Sequence, residues 1–200
     1  SVLLPMGKLI GTLYLALIVF VLLVLIPALY WAKIKIIPFF SEMRPSLLLA
    51  FATTSSESAY PDALTSLEKI GVSNPIASFV LPLGYSFNLD GSTLYLALAS
   101  VFIAQAAHVE LPVSTQIAMM LSLMLTTKGV AAVPRASLVV LSATLVAFGL
   151  PLEGVVLIMG VDEFMDMART TVNLLGNCVA TVVVSHWQKE SLSPEFQRHN

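Results

Sequence analysis

One stretch of the chain decides its fold: DEFMDMARTTVNLLGN, residues 162–177. Its polar side chains Asp162, Asp166, Arg169, Asn173 and Asn177 follow one another at spacings of four, three, four and four. At about 100° per residue, these positions fall within roughly an 80° arc of an α-helix. Apolar residues dominate the rest of the segment, which predicts a membrane helix with one polar wall. Ionisable groups at membrane depth are costly and usually functional.

The composition is that of a membrane protein. The chain is 57% hydrophobic and 11% charged, with a mean hydropathy of +0.88. Residues 9–32 carry no charge, which meets the requirement of about 20 apolar residues for a membrane span. That run is too long for a signal peptide, and no cleavage site follows it. No basic cluster occurs, so we expect a lipid bilayer and no nucleic acid as partner.

Apolar runs and their interruptions divide the membrane core, residues 1–187, into five parts. Lys33, Lys35 and Lys189 follow the first and last spans, which places those ends in the cytoplasm. The parts are a span at about 9–32 with a kink at Pro27, a hairpin at 42–69, a broken span at 70–109, a second hairpin at 111–150 and a last span at 155–187. Residues 188–200 are predicted to form a polar cytoplasmic tail.

The two hairpin regions resemble each other. Residues 53–61 and 126–134 share the pattern Thr-Thr-x6-Pro, and Asn-Leu-x-Gly follows at 88–91 and 173–176. Paired, interrupted hydrophobic segments at corresponding places are typical of transporter binding sites. Because backbone groups in lipid need partners, polar tips between short apolar arms favour re-entrant hairpins, although a cytoplasmic loop is the alternative at 53–61. The predicted fold class is an all-α membrane protein with broken transmembrane helices and two re-entrant helical hairpins.

The polar wall predicts binding of a charged solute. The guanidinium of Arg169 is a planar fork suited to a carboxylate, and Asp166, one turn away, suits an ammonium group. An internal ion pair of Arg169 with Asp166 or Asp162 is the alternative. Two carboxylates against one guanidinium leave a negative charge that a cation, an ammonium group or a proton would balance.

The break at residues 88–92, Asn-Leu-Asp-Gly-Ser, predicts a cation site. Side-chain oxygens of Asn88 and Asp90, together with freed carbonyls, suit a small cation such as Na⁺, and a kink with a capping Asp90 is the alternative. Hydroxyls at the 53–61 tip suit an anion at a helix N-terminus. A serine hydrolase needs a histidine near its nucleophile, and none lies at membrane depth, so we predict no enzyme.

These motifs resemble the dicarboxylate/amino acid:cation symporter family, the glutamate transporter family. Four of them occur in the family's order and cover nearly the whole chain, from the family's sixth span to its eighth. Residues 54–61 resemble the serine-rich tip of its first hairpin, and 88–92 its Asn-Met-Asp-Gly-Thr motif. Residues 133–137 resemble its Val-Pro-Gly-Ala-Gly tip, and 162–177 its polar last span.

The resemblance implies an elevator-type homotrimer in the inner (plasma) membrane, with scaffold spans preceding residue 1 and no resident cofactor beyond co-transported Na⁺ and/or H⁺. It implies that Arg169 binds the substrate's side-chain carboxylate and Asp166 its amino group. Other implied substrate-binding residues are Thr170, Asn173, Ser92, Ser56 and the backbone of Val133 and Ser137. Implied cation ligands are Gly84, Asn88, Asn173 and Asn177 at one site, Asp90 with Asn88 at a second, and Ser86 near a third.

Three positions depart from the family pattern: Asn177, Leu96 and Arg135. Asn177 stands where sodium-coupled members carry Asp, and Leu96 where proton-coupled relatives of the animal transporters carry Glu. Glu57 at the first hairpin tip is a candidate substitute for that proton carrier, and bacterial relatives carry the same Ser-Ser-Glu-Ser. Arg135 replaces a glycine at the second hairpin tip.

We therefore expect a symporter for glutamate or aspartate. A C4-dicarboxylate symporter of the same family is the alternative, although such members tend to carry Ser at position 166. Two alternatives from other functional classes are a channel and an inactive fragment.

Overall fold

The computed structural model describes residues 3–128 and 135–198, which are almost entirely helical. The helices in chain order are α1 (Leu3–Phe20), a π-helical turn (Val21–Leu25), α2 (Ile26–Trp31), α3 (Ile36–Thr53), α4 (Tyr60–Ile70), α5 (Asn74–Phe87), α6 (Asp90–Ala106), α7 (Val113–Thr126), α8 (Ala136–Ala147), α9 (Glu153–Met159) and α10 (Asp162–Trp187). Within these residues, extended pairing is limited to an isolated bridge between Ile34 and Gln197.

Three helical stretches are long and apolar enough to cross a membrane. They are Leu4–Trp31 with 28 residues, Asn74–Ala106 with 33 and Asp162–Trp187 with 26. The predicted class, an all-α membrane protein, is thereby confirmed. α3 packs against α4 and α7 against α8, as expected of two hairpins, and their re-entrance into the bilayer stays a prediction.

The irregularity predicted at Pro27 takes the form of a π-helical turn. Proline removes a backbone donor, and its ring collides with the carbonyl four residues earlier. The turn Val21–Leu25 comes just before α2, and Ile26 N–H donates to Val21 O, five residues back. The wider turn accommodates the ring while the apolar span continues to Trp31.

The break in the second long stretch falls where the sequence places it. α5 ends at Phe87, and α6 begins at Asp90. Asn88 and Leu89 between them have ψ angles of 71° and 60°, outside the helical region. The N–H groups of the first turn of α6 therefore lie in the protein interior and need partners.

α10 is the centre of the bundle and packs against α3, α5 and α6. Two apolar clusters meet along it. Leu174, Cys178 and Val182 join the cluster formed with α2 to α5, whereas Met165 and Val172 join the one formed with α1 and α6 to α9. The buried polar side chains of residues 162–177 lie on the same helix between these clusters.

Some boundaries differ from those expected. The last long helix begins at Asp162, because residues 153–159 form the separate helix α9 before a turn. The first hairpin begins at Ile36, six residues earlier than the expected 42. Residues 188–198 do not form a free polar tail: Leu192 and Phe196 are only 4% and 6% exposed and pack into the core.

Candidate functional site

Arg169 lies at the centre of the polar wall and is 1% exposed. Helical side chains point back towards the N-terminus of their helix, which is where Asp166 and Asp162 lie. Nε donates to Asp166 Oδ1 at 3.0 Å, and Nη1 donates to Asp162 Oδ1 at 2.9 Å. Nη2 completes the pair with Asp162 Oδ2 at 3.4 Å. Both internal ion pairs that the sequence left open therefore form.

Tyr95 on α6 covers one face of this guanidinium, a role that sequence reasoning missed. The Arg169 Cζ atom lies 3.9 Å from the centre of the Tyr95 ring. The Tyr95 hydroxyl is buried and has no hydrogen-bond partner in the described part of the chain. One turn earlier, a Cβ on Gly91 would come within 2.9 Å of the Arg169 Cα, so the two helices touch here. Gly91 and Tyr95 are four residues apart and so lie on the same face of α6, which is the sequence feature that could have predicted this contact.

Asp166 is held from two directions. Its Oδ1 accepts a hydrogen bond from Thr170 Oγ1 at 3.2 Å, and its Oδ2 accepts one from the Arg135 N–H at 2.8 Å. Arg135 has a φ of 61°, the left-handed conformation, and pairs with Glu163 at 3.0 Å. Arg135, the residue preceding α8, therefore contacts two of the three acidic residues of α10, Asp166 and Glu163.

Asn173 binds the start of α6. Its Oδ1 accepts hydrogen bonds from the N–H groups of Gly91 at 2.8 Å and Ser92 at 3.3 Å. Its Nδ2 donates to Ser92 Oγ at 2.9 Å. Asn173 thus caps the N-terminus that the break exposes, and it holds Ser92 against the polar wall.

Asn88, Asp90 and Asn177 converge where α5 and α6 meet α10. Asn88 and Asn177 share a side-chain hydrogen bond of 3.0 Å. A Cβ on Gly176 would lie 2.9 Å from Asp90 Oδ2, and one on Gly84 would lie 2.7 Å from Asn177 Cγ. Glycine at both positions therefore permits the close approach of the three polar side chains.

The amide orientations in this group matter for cation binding. Rotating the Asn88 amide places its Nδ2 at 3.1 and 3.2 Å from the two Asp90 oxygens, and its oxygen then faces the Asn177 amide at 3.0 Å. Asn177 has a buried Nδ2 with no partner among the described residues. If both amides rotate, Asn177 donates to Asn88, and its own Oδ1 takes the unpartnered position. A buried oxygen without a donor is a suitable cation ligand.

Lys128 places a positive charge near the break between α5 and α6, and sequence reasoning gave this residue no role. Its Nζ donates to the carbonyl of Phe87, the last residue of α5. A carbonyl at a helix C-terminus attracts cations, so Lys128 already places one beside Asn88.

Other predicted residues are not brought together by a described contact. Ser56 is buried in the α3–α4 turn, and Ser137 is buried near the start of α8, but neither donates a hydrogen bond to α10 within residues 3–128 and 135–198. Ser86 is half-buried and Glu57 is exposed. Val133 lies outside the described residues.

The donor set suits a weakly held hard cation. No group of three or more His, Cys, Asp or Glu side chains converges within the described residues, as a transition-metal site would require. Amide and carbonyl oxygens with a single nearby carboxylate, Asp90, are the ligand types that Na⁺ uses in transporters.

Comparison with known proteins identifies the family. Residues 1–187 match the model of the sodium:dicarboxylate symporter family. The chain belongs to this family. The symporter relatives include the proton/sodium-glutamate symport protein of Bacillus subtilis (strain 168), 48% identical over 186 residues, which are 93% of this chain and 43% of that protein.

Two further relatives of this symporter family are named for different substrates. The proton/glutamate-aspartate symporter of Bacillus subtilis (strain 168) is 47% identical over 202 residues, covering 100% of this chain and 48% of that protein. The C4-dicarboxylate transport protein of Burkholderia multivorans is 47% identical over 189 residues, covering 94% of this chain and 44% of that protein. The chain spans less than half the length of the curated relatives it matches.

Proposed function

We propose that this chain forms the substrate- and cation-binding core of a secondary active symporter for glutamate or aspartate, coupled to Na⁺ and/or H⁺. The observation that supports it best is the buried Arg169 on the polar wall of a membrane-spanning helix. A guanidinium has five N–H donors, of which Asp162 and Asp166 take three. One N–H remains on each Nη atom, so a substrate carboxylate has a free guanidinium donor to bind.

Asp166 gives the site its preference for amino acids. With Asp162 and Asp166 ionised, the two carboxylates exceed Arg169 by one negative charge, which an α-ammonium group offsets. The two Asp166 oxygens already accept from Arg169, Thr170 and Arg135, so they are held in place before a substrate arrives. Such preorganisation lowers the cost of ordering the site on binding.

Cation coupling is assigned to the Asn88–Asp90–Asn177 group. An uncharged side chain at position 177 lowers the negative charge available to Na⁺, which favours a weak sodium site or proton coupling. Asp90 at the break and exposed Glu57 in the α3–α4 turn are the acidic groups that we propose to test as proton carriers. Gly84 and Ser86 complete the proposed cation ligands.

A C4-dicarboxylate symporter is the second candidate. The Burkholderia relative named for C4-dicarboxylates is as similar to this chain as the glutamate–aspartate relative, at 47% identity. Asp166 argues against it, because a buried carboxylate beside the site repels a second carboxylate that brings no ammonium group.

We further propose the assembly that the family resemblance implied. The chain would work in an inner-membrane homotrimer, and α3–α4 and α7–α8 would enter the bilayer as re-entrant hairpins. Crosslinking of the intact protein in native membranes tests the trimer independently of transport.

Uptake by the intact protein in proteoliposomes tests the proposed function. Labelled aspartate, glutamate and succinate are compared under imposed Na⁺ and pH gradients, each alone and together. We expect saturable aspartate or glutamate uptake that a cation gradient drives. Asp166→Ser should shift competition towards succinate, and Glu153→Gln, an exposed acidic position on α9, is the matched control. Ion current without saturable uptake would instead indicate a channel.

A further inference from the structure

A second polar pocket lies far along α10 from the substrate site, where the first and last spans end. Its volume is about 470 Å³. Its lining includes two tryptophans, one histidine, three side chains with a fixed positive charge and one acid: Trp31, Trp187, His186, Lys33, Lys189, Arg198 and Glu190. None of these residues takes part in the proposed symport site.

Both lysines sit in the same unusual backbone position. Lys33 and Lys189 follow a helix C-terminus with φ angles of 59° and 58°, the left-handed region. The equivalent turns after α4 and α8 use glycine, at Gly71 and Gly149, because glycine has no Cβ to collide there. Strain of this kind is retained where surroundings or function require the side chain.

The two turns are built alike. Ile34 N–H donates to Leu29 O at 3.0 Å, and Glu190 N–H donates to Ser185 O at 3.2 Å, the closing bond of the same helix-end motif. Each turn reads Trp-x-Lys, and the two tryptophan rings meet edge to face with their centres 6.0 Å apart. The motif therefore fixes two Trp–Lys pairs around one cavity.

The pocket is electropositive. Lys33, Lys189 and Arg198 have no salt-bridge partner within residues 3–128 and 135–198. The guanidinium of Arg198 lies 4.1 Å from the centre of the Tyr30 ring, which holds it at the rim. Glu190 is the facing carboxylate, and its Oε2 accepts hydrogen bonds from both Ser185 Oγ and the Ser73 N–H. Three cations against one acid leave an excess of two positive charges, in a chain whose net charge is −2.

Its place in the membrane specifies the ligand. Tryptophans at span ends lie at the level of lipid headgroups, and lysines just beyond a span mark the cytoplasmic side. The inner leaflet carries anionic phospholipids, which attract basic residues within a Debye length of the surface. We propose that this pocket binds the phosphate group of an anionic phospholipid of the cytoplasmic leaflet.

Quenching of tryptophan fluorescence tests the proposal directly. The 200 residues contain two tryptophans, and both line the pocket, so the signal of the full chain reports on this site. The chain is reconstituted with brominated phosphatidylglycerol or brominated phosphatidylcholine in otherwise identical bilayers. We expect preferential quenching by phosphatidylglycerol. Lys33→Gln/Lys189→Gln should weaken that preference by about 30-fold, since each basic side chain contributes roughly a five-fold effect.

Two further variants separate the site from its surroundings. Lys69→Gln/Arg44→Gln removes two positive charges outside the pocket and should retain the preference. Lys33→Gly/Lys189→Gly removes the pocket charges but suits the left-handed turns, so it should raise the melting temperature while losing the preference. A wild type that does not distinguish the lipids, or an equal loss in the control, would overturn the proposal.

Competition by inorganic phosphate in the quenching experiment distinguishes a bound lipid from a bound free anion. Excess inorganic phosphate should leave quenching by phosphatidylglycerol unchanged, because it lacks the acyl chains that hold a headgroup at the Trp31–Trp187 level. Displacement of the lipid by inorganic phosphate would show a free-anion site and would contradict the lipid assignment.

Discussion

Arg169 and Asp162 lie two helical turns apart on α10, yet their side chains form a two-point pair, with Nη1–Oδ1 at 2.9 Å and Nη2–Oδ2 at 3.4 Å. Both side chains are almost completely buried, at 1% and 0% exposed. Asp166 pairs with the same guanidinium, so both partners of Arg169 are protein carboxylates. In the proposed function, a substrate carboxylate adds to this arrangement instead of creating it.

The first prediction concerns that pair. Removing one member of a buried ion pair leaves the other without compensation, which typically costs about 3–5 kcal/mol. We expect Arg169→Ala, which leaves two buried carboxylates without their cation, to lower the free energy of unfolding by about this amount. Asp162→Ala leaves Arg169 paired with Asp166 and should cost less. Arg169→Ala should also abolish binding of aspartate, measured by calorimetry, because the substrate carboxylate loses its partner.

The double variant Asp162→Ala/Arg169→Ala serves as the control for direct coupling. If the pair interacts as the distances indicate, the double variant should be less destabilised than the sum of the single variants. Additive losses, or unchanged aspartate affinity in Arg169→Ala, would contradict the role given to Arg169.

The second prediction separates the ring of Tyr95 from its hydroxyl. Tyr95→Phe keeps the ring over Arg169 and removes a buried hydroxyl that has no partner in the described residues, so we expect stability and substrate affinity to be kept. Tyr95→Leu removes the cation–π contact and should weaken substrate affinity by about 1–2 kcal/mol. Equal behaviour of the two variants would show that the ring face has no role.

The third prediction concerns Asn177, the uncharged side chain of the proposed cation site. Asn177→Asp has nearly the same shape, which matters because Gly84 and Gly176 leave little space around it. The added carboxylate should strengthen Na⁺ binding and make uptake depend more steeply on the Na⁺ gradient. The measurement is the apparent Na⁺ affinity of aspartate uptake. Asn74→Asp, the same change at an exposed position at the start of α5, is the matched control.

Several features were predictable because they follow from local rules. The polar residues 162–177 fall on one helical face by spacing alone, and the break at Asn88–Asp90 follows from polar residues and glycine within an apolar run. The approach of Ser92 to Asn173 also agrees with the sequence, since a broken helix leaves N–H groups that need an acceptor.

Other features depend on packing that no single segment encodes. The contact of Tyr95 with Arg169 requires knowing how α6 lies against α10, and the Arg135–Asp166 bond joins residues 31 positions apart. The packing of the chain end was not anticipated, because two apolar residues, Leu192 and Phe196, stand alone among polar ones there and pack into the core. The four-residue spacing of Leu192 and Phe196 is the sequence feature that could have predicted their common burial.

The fourth prediction tests how that chain end is held. Partial burial raises the pKa of Glu190, but hydrogen bonds from Ser73 and Ser185 lower it by more, so its pKa lies below the ordinary 4.5. A carboxylate whose pKa is lowered on folding stabilises the fold above its unfolded pKa, and that contribution is lost as pH falls through the folded value. The difference in melting temperature between wild type and Glu190→Gln should therefore be constant above about pH 5 and shrink below pH 4.5. Glu195→Gln changes an exposed acid of the same segment and should show no such dependence. A difference that does not change with pH would mean that Glu190 acts through packing and not through its charge.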